Sequence, residues 1–373
     1  MTTLIPALLL DSLALTGGAA LTEGFALEAR GAAGRRALLR GGSQLEAYDL
    51  DRLWDGERAP VAAFPFPWPD WSLGQHSVAP DASFAVFSGQ RSVRAVAADG
   101  TTLWVYRHGC WDQRIGHGHS GDDQQVCGGI ESGSCRVSDD GALVWAHVVA
   151  DAGHAEQDEY DEYWVVLDAT DGAELARVPL TGVASGSQHV SHPDGVHMGL
   201  CIGMGQDGIL LHWARLDGGE VTTWDVNETE DRILVDVHPG HAGFLTVEHY
   251  GEDIRLHALD GTVLATAEAR PTGEEAGEWD ECRPWDHPCG FVDADTVIAT
   301  TVECDEHPEE ADHWLLDART LTLRGGIAYP CPVDGFARPL GDGTWLTHDG
   351  KKGLLHRWGL TLADRPSGTR TKA

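Results

Sequence analysis

One pattern constrains this chain more than any other: paired, β-rich runs hinged on an aspartate and a glycine. It is clearest from Ser134 to Leu180, which reads SCRVSDDGALVWAHVV, an acidic insert, and then YWVVLDATDGAELARVPL. Each half is two apolar runs joined by a tight turn, so the unit is a four-stranded antiparallel meander. The second half recurs as SQLEAYDLD from Ser43, SVRAVAADGTTLW from Ser92, ILLHWARLDGGEV from Ile209, IRLHALDGTVL from Ile254, HWLLDARTLTL from His313 and GLLHRWGL from Gly353. A weaker echo, an apolar residue followed by a Pro/Asp/Gly turn, places Pro80, Asp139, Pro193, Pro239, Asp293 and Pro339 at intervals of 46 to 59 residues. Four strands repeated at this period predict an all-β fold, a seven-bladed β-propeller with four-stranded antiparallel blades.

The first blade, from Gly24 to about Phe66, is the most degraded, and a six-bladed ring is the alternative if that stretch is a cap. Residues 2–10 have no place in it, while the last repeat stops after its third strand near Leu360. The N-terminal strand is therefore expected to complete the last blade and close the ring, which removes exposed sheet edges. One domain over 1–365 and a disordered basic tail over 366–373 are expected.

The LDATDGAEL and AADGTTLW stretches resemble the repeats of the WD40, YVTN and quinoprotein-like propeller superfamilies, in which an Asp-Gly turn links the two outer strands of a blade. The resemblance spans nearly the whole chain and implies a fold. It departs from the WD40 signature: third strands end in Leu-Asp-Gly rather than Trp-Asp, Gly240-His241 follows a first strand, and Trp224-Asp225 lies in a fourth. No quinone or metal site carries over.

Charge narrows the partners. Lys plus Arg is 26 against 59 Asp plus Glu, a formal charge of -33, which repels nucleic acid and anionic lipid headgroups. No run of 18 apolar residues occurs, and IPALLL near the N-terminus is interrupted by Asp11 with no preceding Lys or Arg. Neither a membrane span nor a signal peptide is expected, and the protein reads as soluble, cytoplasmic and monomeric. The eight cysteines include no CxxC; those inside apolar strand patterns, such as Cys201, read as buried reduced thiols.

In a meander the connections alternate between the two ends of the sheet. Every tight Asp/Gly turn above joins a first strand to a second or a third to a fourth. The long insertions, 107–133, 151–162, 269–288 and 304–312, all fall at the other end, which is the functional candidate. In the first insertion His117, His119, Asp122 and Asp123 form a candidate metal set for a divalent ion such as Zn, Mg or Ca. The same glycine-rich loop can equally hydrogen-bond its own backbone. The acidic inserts at 154–163 and 304–312 lack a calcium-loop arrangement and read as solvated. Trp111, Trp279 and Trp285 are candidate anchors for a protein or small-molecule ligand. Beside them, Cys282 and Cys289 can pair with each other or bind metal with His287. Gln75-His76, Gln188-His189 and His287 occupy related positions near the expected channel mouth, where imidazoles can bind a ligand, hold a metal or transfer protons, or else pack one blade on the next.

Two functions follow: a binding propeller that grips a partner on the loop-rich end, or a metal-dependent lyase or hydrolase with a His/Asp site at the channel mouth.

Overall fold

The turn aspartates explain where the chain folds back. Asp81, Asp99, Asp140, Asp168, Asp194, Asp260, Asp317 and Asp342 each accept, through a side-chain oxygen, the backbone N–H two residues ahead, at 2.7–3.0 Å. An aspartate that closes its own turn in this way substitutes for a backbone hydrogen bond. Part of the acidity is therefore turn chemistry. At Gly141 the backbone reaches φ 76°, a region that a side chain resists.

The computed structural model describes residues 3–14, 26–28, 35–68, 73–112, 118–121, 124–150, 161–182, 184–226, 231–240, 242–271, 282–301, 312–349 and 352–361. By its internal contacts the chain divides into two compact units, Gly24–Asp231 and Met1–Glu23 with Arg232–Ala373.

Gly24–Asp231 holds four four-stranded antiparallel sheets among its described residues. The first is Ala26–Glu28, Arg36–Gly41, Gln44–Asp49 and Ala62–Pro65, with a short helix, Leu50–Trp54, capped by Asp49. The second is Ser77–Val78, Phe84–Ser88, Ser92–Ala97 and Thr102–Arg107. The third is Cys135–Val137, Leu143–Val149, Glu162–Asp168 and Glu174–Leu180. The fourth is Gly186–Ser191, His197–Gly203, Ile209–Asp217 and Glu220–Asp225. Consecutive sheets pack face to face. Phe64 meets Phe87 and Val96 between the first two, Val86 and Trp104 meet Val144 and Val165 between the next, and Trp145 and Trp164 meet Leu200 and Ile202 between the last. A middle strand thus buries both faces, so the second and third strands read as apolar runs, while a fourth strand such as Glu174–Leu180 alternates exposed and half-buried positions.

Among its described residues the other unit holds three four-stranded sheets, the last two joined through Leu4–Ala14, and a two-stranded sheet of Arg270–Pro271 and Cys282–Arg283. The fifth is Arg232–Val237, Phe244–Glu248, Asp253–His257 and Val263–Glu268. The sixth is Gly290–Asp293, Thr296–Thr301, Asp312–Asp317 and Leu323–Ala328. The seventh takes Asp334–Pro339, Thr344–Asp349 and Leu354–Leu360 from the C-terminal end and Leu4–Ala14 from the N-terminal end. Leu4–Ala14 pairs antiparallel with Leu354–Leu360 from Ala7 to Ala14, and its first residues run parallel to Gly326–Ala328. The N-terminal strand completes the last sheet as expected, and residues 26–65 form a sheet of their own, so the cap alternative falls. No helix among the described residues is long and apolar enough to cross a membrane. The tail at 366–373 lies outside the described residues.

Candidate functional site

The strand order confirms the alternation on which the functional end was inferred. In Gly24–Asp231 the connections 108–134 and 150–161 leave the sheets at the end opposite the Asp turns, and in the other unit 269–289 and 302–311 do so. Large apolar side chains exposed in connections, among the described residues, also fall there: Leu73, Ile130 and Tyr250, the last two each 75% exposed.

The connection 108–134 is the best-described of these loops, and it is seated on the short turn between Ser88 and Ser92. Gln90, fully buried, accepts the Cys127 backbone N–H at 2.7 Å and donates to the Gly129 carbonyl at 3.0 Å. Arg91 donates to the Gly121 and Gln124 carbonyls, and Ser92 to the Gln125 side chain. Trp111 N–H donates to the Gln90 carbonyl. Below the loop, Gly133 passes so close to the His147 carbonyl and the Trp111 ring that an added Cβ would lie 2.1 Å from the former.

These anchors bring Cys110, His119 and Cys127 together. Their Sγ and imidazole nitrogen atoms all lie within 4.8 Å of one another, and the two sulfurs are 3.5 Å apart. Both thiols are half-buried and the imidazole is exposed. Burial pushes the Cys110 thiol up to about 12, against a hydrogen bond from the Asp112 backbone and with the Cys127 thiol adding to the rise. Of the metal set expected from sequence, His119 is in this cluster, whereas His117, Asp122 and Asp123 lie outside the described residues. The two cysteines were missed, since they form no CxxC; the signal was a pair of cysteines flanking the His-Gly-His segment within one insertion.

The tryptophan anchors need correction. Trp111 is 1% exposed, edge-on to His147 at 5.0 Å in the core between the third and fourth sheets. Trp285 is 4% exposed; its indole donates to the Ala267 and Glu268 carbonyls from the core of the fifth and sixth sheets. Both fold back because a long insertion still has to cover the apolar sheet end from which it springs. Trp279 and Cys282 carry no described side chain.

The histidines are packing groups as well. His76 is buried between Phe66 and Phe87, at centroid distances of 5.4 and 5.1 Å. His189 is buried; its Nε2 accepts the Trp164 indole N–H at 2.9 Å, so Nδ1 donates to Ser134 Oγ at 2.8 Å. Burial, helped by His147 and Arg136, holds its pKa well below the usual imidazole value. The Gln-His pair ties the start of the second sheet to the first strand of the fourth, for Gln75 accepts the His189 backbone N–H at 2.6 Å. His287, half-buried in the other unit, donates from Nε2 to the His249 carbonyl at 3.2 Å and stacks on that ring.

A second group, His192, Asp194 and His197, lies at the Asp-turn end of the fourth sheet. Burial opposes ionisation of Asp194, yet hydrogen bonds from both imidazoles and from the His197 and Val196 backbone hold its carboxyl well below the usual carboxylate range. Both carboxylate oxygens are engaged in that network, and His197 stacks on Trp213. It braces a turn.

No protein-family model matches this chain, and no curated protein sequence does. Solved structures do resemble it. The Cps50 (Swd1) β-propeller domain of Myceliophteria thermophila matches with a TM-score of 0.54 and 10% identity over 94% of this chain and 100% of that one. The dihydro-heme d1 dehydrogenase NirN, in complex with DHE, matches with a TM-score of 0.51 and 15% identity over 91% of this chain and 63% of that one. At such identities the likeness establishes the fold, and with the seven sheets above the chain is a seven-bladed β-propeller.

Proposed function

We propose that this propeller is a binding module that takes a protein partner with a basic surface at the insertion-bearing end of its sheets. The observation that carries this reading is that in each unit the long connections leave the sheets at the end opposite the Asp turns. Long loops on a rigid scaffold are where binding concentrates, and each unit exposes a large side chain there, Ile130 in one and the aromatic Tyr250 in the other. A net charge of -33 speeds association with a basic partner and makes it salt-dependent. The rival lyase or hydrolase reading loses two of its expected imidazoles, since His76 and His189 are buried in packing roles.

The test compares substitutions at the two ends. A partner recovered by crosslinking from cells producing the tagged full chain would be purified and titrated against Ile130→Asp, Tyr250→Asp and the turn-end control Asp99→Asn. Binding to wild type and control, with a roughly tenfold or greater loss in at least one loop-end variant, supports the reading. Equal binding by all, or selective loss in the turn-end control, rejects it.

A further inference from the structure

We propose that Cys110, His119 and Cys127 form a binding centre for a thiophilic divalent cation, zinc by choice of donors, which staples the 108–134 connection. The inference does not depend on the partner-binding reading.

Geometry comes first. Two thiolates on one tetrahedral zinc, each about 2.3 Å from the metal, lie roughly 3.8 Å apart, and a thiolate and an imidazole lie slightly closer. The sulfurs here are 3.5 Å apart and the farthest donor pair is within 4.8 Å, so small rotamer changes complete the site. The three residues come from one connection whose backbone is independently held. Gln90 anchors residue 127, the Gln90 carbonyl anchors residue 111, and Arg91 anchors residues 121 and 124. The donors are thus brought together by a scaffold that does not need the metal to form. Gln124 also points its amide at Cys127 Sγ, 4.0 Å away, while its side-chain carbonyl accepts from Ser120 next to His119. Such a support fixes two arms of the set relative to each other.

Donor chemistry then selects the ion. Two sulfurs and one imidazole suit zinc and disfavour magnesium and calcium, which take oxygen. Each thiol gives its proton to solvent as its sulfur binds, so binding releases protons and weakens as pH falls. Three protein donors leave one of zinc's four positions to water or a donor from another molecule.

The test uses the full chain, purified under reductant without a metal-affinity column and stripped with a chelator. Zn²⁺ alone, titrated against a competing chromophoric chelator, is expected to bind at one equivalent. Co²⁺ alone is expected to give the intense thiolate charge-transfer band and tetrahedral visible bands. Cys110→Ser/Cys127→Ser should abolish both signals. His119→Gln should weaken zinc by more than the roughly 10–100-fold that loss of a supporting group costs. Stoichiometric zinc that survives the double cysteine variant, zinc affinity unchanged by His119→Gln, absence of the cobalt thiolate band, or a Cys110–Cys127 disulfide that forms in the presence of zinc would each overturn the proposal.

Discussion

His257 and His313 are held neutral by the groups around them. His257 Nδ1 donates to the Gly261 carbonyl, and Nε2 accepts from the Thr246 hydroxyl, which in turn accepts from Arg232. His313 Nε2 donates to the Gly335 carbonyl, and Nδ1 accepts from the Tyr329 hydroxyl, which accepts the Trp345 indole N–H. A second proton on either ring would face a hydroxyl already committed as a donor. Burial lowers both to about 4; Arg232 and Arg255 add to the shift at His257, whereas Asp253, and Asp312 at His313, oppose it. The folded value lies below the unfolded one near 6.5, so the unfolded chain binds more protons between them. This stability is complete above pH 6.5 and is lost as pH falls toward 4, by up to on the order of 3 kcal/mol for each ring. Urea midpoints are expected to be flat above pH 7 and to decline from pH 6.5 to 5. A His257→Gln/His313→Gln variant should be weaker at pH 7 and show a shallower decline; an unaltered slope would refute the assignment.

Individual sheets carry a second layer of specificity, in bonds between their middle strands. Trp358 on the third strand of the seventh sheet donates from its indole to Thr347 Oγ1 on the second strand at 2.8 Å, and both side chains are buried. Trp314 and Thr301 repeat the pattern in the sixth sheet. Thr347→Val keeps the shape but strands the indole N–H, at a cost of about 1–3 kcal/mol. Trp358→Phe on the same background removes the orphaned donor, so chemical denaturation of the double variant should show less loss than the two single losses combined. Strict additivity would show that the bond contributes nothing. The strands themselves were legible in the repeats from Ser43 to Gly353, because burial between two neighbours leaves an apolar run. The indole–hydroxyl pairs were not, since they join residues 11 to 13 apart through a register that only strand pairing sets.

The strand Leu4–Ala14 and the strand Leu354–Leu360 meet in one sheet, and the pairing covers what would otherwise be an open edge. Gly325 permits part of this approach: an added Cβ would sit 2.4 Å from the Thr3 carbonyl. Removing residues 1–14 leaves Leu354–Leu360 as an open edge with its backbone groups unpaired, a template for association. The truncated chain is expected to aggregate at micromolar concentration in light scattering. A synthetic peptide of residues 4–14 added during refolding should restore a monomer. A truncated chain that stays monomeric and melts like wild type would sink this view of the closing strand.

Local chemistry, by itself, determined the repeat, the seven sheets, the Asp-closed turns, the N-terminal strand in the last sheet and the end at which the insertions emerge. All of these follow from apolar runs in the middle strands, turn propensity and the alternation of connections, which short segments and their recurrence along the chain carry. Tertiary structure decided which side chains those insertions present. It drew Trp111 and Trp285 into the core because exposed sheet ends need covering, and it turned His76 and His189 into braces between sheets. It also brought Cys110 and Cys127 to His119, a convergence determined by the path of a loop over Gln90 and Arg91 and by no spacing along the chain.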